Sequence, residues 1–220
     1  MTADVEYLTH NKIRLALHHL RRDGEGRPLL LLHGLGETSP TSPPPWVTGW
    51  KGPIAALDFT GHGLSTVPAG GGYSAEIMLG DADIALAALA GTSGTVTVVG
   101  RGLGAYIALM LAGARSSQVH GAALCDGVGL TGGATGPTSG SFVQLEPRAE
   151  PPDPYALFEL SRDLRPPDYA THFVSHALQG SGLEEPIAVC AVTRPVWLSA
   201  VVEQVGVVTC GLPEALTMYA

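Results

Sequence analysis

Gly100-Arg101-Gly102-Leu103-Gly104 stands between two unlike runs, the β-branched stretch 95–99 and the apolar stretch 105–112. A run of that kind breaking into glycines and then into a helical pattern reads as a buried strand, a sharp turn and a helix. In a G-x-S-x-G turn on this frame, the middle residue carries the hydroxyl that attacks a carbonyl. Here the middle residue is Gly102, so the frame is present and the attacking atom is absent. Few other groups have chemical potential. Asp126 ends the apolar run 119–125 and is the best-placed carboxylate for a pocket mouth, with capping of the next turn as its structural alternative. His172 and His176 are four apart on one helix face, as half a metal site or a base would be, or as an exposed polar pair. Cys125, Cys190 and Cys210 are odd in number, widely spaced and without a C-x-x-C, which suits buried free thiols in a reducing compartment.

The elements that must position these residues are legible in outline. Residues 5–19 show half-exposed strand alternation, closed by the turn 22–26. The continuous apolar run 29–32, stopped by His33-Gly34, suits a strand buried on both faces. Residues 37–50 are rich in Pro and Ser and read as a surface loop with at most one helical turn. A strand over 53–59 leads into Thr60-Gly61-His62-Gly63-Leu64-Ser65, and Ser74 is placed to cap a helix from Ala75 to Ala90. Beyond the run 119–125, residues 129–152 are rich in Gly, Pro and Ser, and 154–179 has helical spacing broken at Pro166-Pro167. A strand over 186–192, a helix over 195–204, a strand over 205–210 and a short helix over 212–220 complete the chain. Strands alternating with helices imply a mostly parallel, doubly wound α/β sheet flanked by helices, with a small helical cap insertion at about 129–182, all within one domain spanning 1–220.

A formal charge of −8 with a pI near 5.4 argues against nucleic acid or an anionic membrane as partner, since both are polyanions that need a basic face. No apolar run reaches the length of a membrane span, and residues 1–6 lack the basic flank and apolar core of a signal peptide, so a cytoplasmic protein is expected.

Taken together, four short motifs resemble the α/β-hydrolase superfamily over nearly the whole chain: His33-Gly34, Asp58-x-x-Gly61-His62-Gly63-x-Ser65, Gly100-Arg101-Gly102-Leu103-Gly104, and Asp126-Gly127. Each falls at the carboxyl end of an expected strand, which gives short motifs their weight. The resemblance implies a nucleophile after the fifth strand, an acid after the seventh or sixth, and a histidine after the eighth. By position these are Gly102, then Thr193 and Arg194, then Cys210 and Gly211, and no histidine follows His176. It also makes His33 and His62 supports of loop geometry and Asp58 a loop anchor.

What the resemblance leaves is the binding half of a site. Backbone N–H groups near Leu35 and Leu103 would form the oxyanion hole, with Gly34, Gly102 and the side chains of Arg101 and Asp126 around it. Such a pocket would take a small carbonyl, carboxylate or phosphate group, walled in part by Trp46, Trp50, Phe142, Tyr155 and Phe158. The expectation is a hydrolase-like protein without serine chemistry, holding a small molecule or acting as an interaction scaffold, alone or in a homo- or hetero-oligomer, with no cofactor and no metal. The alternative is an enzyme whose displaced catalytic set joins Asp126 to His172, His176 or His62. A third reading makes the chain the structural partner of an active relative.

Overall fold

In a computed structural model, residues 4–91, 94–129, 150–161 and 166–220 are described. Eight strands form one sheet: β1 (Asp4–His10), β2 (Ile13–Arg21), β3 (Leu29–Leu32), β4 (Ile54–Asp58), β5 (Val96–Arg101), β6 (Val119–Cys125), β7 (Ile187–Val189) and β8 (Val207–Thr209). Their order is β1-β2-β4-β3-β5-β6-β7-β8. β2 runs antiparallel to β1 and β4, and every pairing from β4 to β8 is parallel. The helices are α1 (Ala75–Ala90), α2 (Leu103–Ala114), α3 (Pro154–Ser161), α4 (Pro167–Gly180), α5 (Val196–Val202) and α6 (Leu212–Met218).

Alternation along the central strands sorts their side chains onto two faces. Leu30, Leu32, Leu57, Val98 and Leu124 meet α1, α2, α4 and α5, whereas Leu29, Leu31, Ile54, Ala56, Val99 and Ala123 meet α6 and the short turn Pro45–Val47. One face therefore carries four helices and the other a single two-turn helix beside a proline-rich loop. That asymmetry leaves room beneath the loop for a cavity.

Two expectations are corrected. The stretch 5–19 is two strands, joined by a tight turn in which Asn11 takes a positive φ of 55°, a conformation asparagine tolerates better than most residues. The cap expected over 129–182 is reached in the described residues by α3 alone. Asp153 donates its amide to Gly61 O at 2.9 Å and accepts from the Tyr73 hydroxyl at 2.6 Å, and Glu159 accepts from Gly72 N at 2.8 Å, which pins α3 over the loop after β4. α4 lies instead in the helical layer, its buried Ala170, Val174 and Ala177 turned toward α2 and α5. Phe142 lies outside the described residues.

Candidate functional site

Gly102 joins β5 to α2 with φ 54° and ψ −118°, a conformation open to glycine and strained for any other residue. A Cβ at this position would lie 2.1 Å from the carbonyl oxygen of Val128 and 2.5 Å from the carbonyl carbon of Gly127. The segment 126–129 thus crosses the turn where a nucleophile's side chain would project. Gly104 serves the same packing from the other side, since its own Cβ would come within 2.3 Å of Leu32 O.

The Val128 oxygen has a second role. Leu35 N and Leu103 N each donate to it at 2.9 Å. The two amides converge on one acceptor, as donors of an oxyanion hole do, and the acceptor is a carbonyl of the chain itself. Gly34 N is also engaged, donating to Glu37 Oε2 at 2.9 Å, while Glu37 Oε1 meets Arg101 Nη2 at 3.2 Å. Asp126 is exposed and turned sideways: its oxygens accept from Val192 N at 2.8 Å and Thr193 N at 2.7 Å, tying the end of β6 to the loop after β7.

All eight histidines lie among the described residues, and none is hydrogen-bonded to Asp126 or to a serine, threonine or cysteine side chain. His172 and His176 are exposed on α4. Their helix meets α2 at Gly113, where Phe173 packs, about 16 Å along α2 from the Gly102 turn. His33 and His62 are buried and neutral by construction: in each, Nδ1 donates to a carbonyl (Gly34 O at 2.7 Å, Thr60 O at 3.1 Å) and Nε2 accepts an amide (Phe59 N and Gly36 N, both at 3.1 Å). Burial, then the neighbouring His62, pushes His33 down to about 4, and burial likewise lowers His62. Asp58 holds three elements together, accepting from His18 Nε2 at 2.8 Å, Leu64 N at 2.8 Å and Ser39 N at 2.7 Å.

Open volume lies on the sparsely covered face. A cavity of about 640 Å³ sits between the loop 37–46, the floor residues Leu31, Ala56 and Val99, and Leu212 at the start of α6. Arg101, Asp126 and Cys125 stand at the strand ends that border it. A smaller hollow of about 190 Å³ lies beside Gly102, lined by Cys125, Gly127, Trp197 and Leu198 among others. Of the expected wall residues, Trp46 borders the larger cavity, Trp50 is buried beneath its loop, and Tyr155 and Phe158 are half-buried on α3.

Sequence reasoning missed Val128, because no motif marks which peptide carbonyl will reach a pair of distant amides. It also left the three cysteines apart, although each ends a parallel strand and so falls on one edge of the sheet. No described helix is long and apolar enough to cross a membrane.

Comparison with known proteins agrees with this architecture. No curated protein sequence matches the chain. Among solved structures, the N-formylmaleamic acid deformylase of Pseudomonas putida S16 shares 16% identity over 94% of this chain and 92% of its own, with a TM-score of 0.62. At that identity the likeness is one of fold. Potato (Solanum tuberosum) epoxide hydrolase I shares 25% identity over 56% of this chain, and an epoxide hydrolase of Vigna radiata 19% over 61%, each with a TM-score of 0.46. The chain spans only 39% and 41% of those two proteins. The profile of the alpha/beta hydrolase family matches residues 29–217, and with that match the chain belongs to the alpha/beta hydrolase family.

Proposed function

We propose that this chain is an α/β-hydrolase-fold binding protein without serine-hydrolase turnover, holding a small molecule with an apolar body and a carbonyl or carboxylate group. The observation that carries the first half is the Val128 oxygen, 2.9 Å from both Leu35 N and Leu103 N and 2.1 Å from where a Cβ at residue 102 would stand. One peptide group fills both the place of the nucleophile and the place of the oxyanion. Turnover needs both, together with a base. The second half is supported by the cavity of about 640 Å³, with its apolar floor and the partly exposed Arg101 guanidinium at its mouth. Asp126 contributes to the frame of that mouth through the loop after β7, and the exposed histidines of α4 take no part.

The test has two arms. A fluorophosphonate probe and short acyl esters should give no serine labelling and no hydrolysis above buffer, and stoichiometric labelling of a serine in the folded protein would reject the non-hydrolytic reading. A thermal-shift screen of aliphatic and aromatic carboxylates and their esters addresses the cavity. A ligand at a hundredfold excess over its Kd stabilises the fold by about 2.7 kcal/mol, and Arg101→Gln should weaken carboxylate hits more than ester hits. A screen without hits would leave the scaffold role.

A further inference from the structure

Three thiols that play no part in the reading above stand in one row. β6, β7 and β8 are parallel and in register, with Leu124 beside Val189 and Val189 beside Thr209. The next residue on each strand is a cysteine, so Cys125, Cys190 and Cys210 share one rung at the carboxyl edge of the sheet. Backbone pairing reaches that rung: Cys190 N donates to Leu124 O at 2.8 Å and Cys210 N to Val189 O at 3.3 Å. All three side chains turn to the α6 face and all are unbridged.

The row's geometry selects its chemistry. The outer two thiols are separated by two strand spacings, roughly 10 Å, too far apart to ligate one ion. Among the described residues no group of three potential ligands closes around a metal position. Neighbouring thiols on adjacent strands are, by contrast, within the range a disulfide spans.

Cys125 is distinguished from the other two by what surrounds it. It borders both the large cavity and the hollow beside Gly102, and it is paired in register with Arg101 on β5. The neighbouring Cys190 thiol lowers its pKa first of all, and Arg101 adds to this, against burial and the carboxylate of Asp126. Cys190 is pushed up by Cys125 and by burial, which keeps it in the thiol form. The pair thus takes unlike roles: Cys125 meets whatever enters either cavity, and Cys190, which lines neither, stands beside it on the next strand.

We propose that Cys125 and Cys190 form a thiol–disulfide couple that reduces a small hydroperoxide entering the cavity, with Cys125 attacking and Cys190 resolving. The Cys125 thiolate attacks the terminal peroxide oxygen, the O–O bond breaks, and the leaving alkoxide takes a proton to depart as alcohol. Cys125 is then a sulfenic acid. The Cys190 sulfur attacks the Cys125 sulfur, an S–S bond forms, and the hydroxyl leaves with the Cys190 proton as water. Two electrons pass from the two thiols to one peroxide, and an external dithiol returns the pair to its reduced form. Cys210, pushed up to about 11 by burial and by Cys190, stays protonated and is not required.

Full-length protein is treated with a small excess of hydrogen peroxide or cumene hydroperoxide, quenched early with N-ethylmaleimide, and mapped by peptide mass spectrometry. The expected product is one intramolecular disulfide joining the Cys125 and Cys190 peptides, removed by dithiothreitol. Cys190→Ser should stop at a Cys125 sulfenic acid trapped by dimedone. Cys125→Ser should consume peroxide about tenfold more slowly or worse, while Cys210→Ser matches the wild type. Circular dichroism establishes that the variants are folded, and the wild-type disulfide map needs no variant at all. Three thiols of the wild type oxidised at one common rate, an early disulfide that leaves Cys125 reduced, or a folded Cys125→Ser protein as fast as the wild type would each overturn the proposal.

Discussion

Replacing Gly102 by serine would complete a G-x-S-x-G motif in the sequence and damage the protein in space. The new Cβ would have to coexist with Val128 O 2.1 Å away at a φ of 54°, so either the turn or the segment 126–129 must shift. Overpacking and backbone strain together make Gly102→Ser destabilising by roughly 2–5 kcal/mol, read as a lower urea midpoint, with no ester hydrolysis gained. An unchanged midpoint would show that 126–129 gives way freely. Two buried groups set the acid response. The folded state keeps His33 neutral down to about 4, whereas the unfolded chain binds a proton at its ordinary 6.5, so stability drains as pH falls from 6.5 toward 4, by about 3 kcal/mol in all. Burial alone would raise Asp58, yet the His18 hydrogen bond and the amides of Leu64 and Ser39 bring it down to about 2, so its contribution, complete above 3.8, is lost on further acidification. Urea titrations at pH 7, 5, 3.5 and 2.5 should show both losses, and a flat profile from 7 to 4.5 would contradict a buried neutral His33. At this scale the glycine in the nucleophile's place and the missing late histidine were legible, because side-chain identity is written in the sequence. The partner of Leu35 N and Leu103 N was not, because a peptide carbonyl carries no sequence signature.

Among the elements, α2 is buried along 103–113 and has no polar face, which makes it the helix others pack on rather than one that meets solvent. α4 crosses it where Gly113 removes a side chain, and a Cβ there would sit 2.7 Å from the Phe173 backbone. Gly113→Val should therefore force the two helices apart and cost about 1–3 kcal/mol in equilibrium unfolding, with the cavity on the opposite sheet face undisturbed in a ligand-binding assay. Periodicity disclosed most strands and helices, including α1 with Ser74 as its cap, whose side chain accepts from Ile77 N. It could not place α4. The stripe Ala170, Val174 and Ala177 says that one face is buried, and is silent on whether the covering surface is α2 or a set of strand ends. The β1–β2 turn was hidden for a different reason: Asn11-Lys12 is only two residues long and interrupts the alternation on either side very little.

For the whole molecule, the uneven covering of the sheet matters most. Four helices seal one face, and on the other the span between α6 and the turn Pro45–Val47 leaves the cavity of about 640 Å³ open over Leu31, Ala56 and Val99. Resemblance of motifs revealed the mostly parallel sheet and the carboxyl edge where a site belongs, but the cavity's displacement onto the α6 face depends on how a proline-rich loop settles, a property of packing rather than of pattern. The Val128 carbonyl joins the loops after β3, β5 and β6 through a single oxygen. Strand-end loops that would otherwise fluctuate one by one are thereby coupled like spokes to a hub, so a disturbance at any of the three is felt by the other two. The rim of the sheet gains rigidity from the same two amides that the family resemblance assigns to an oxyanion hole.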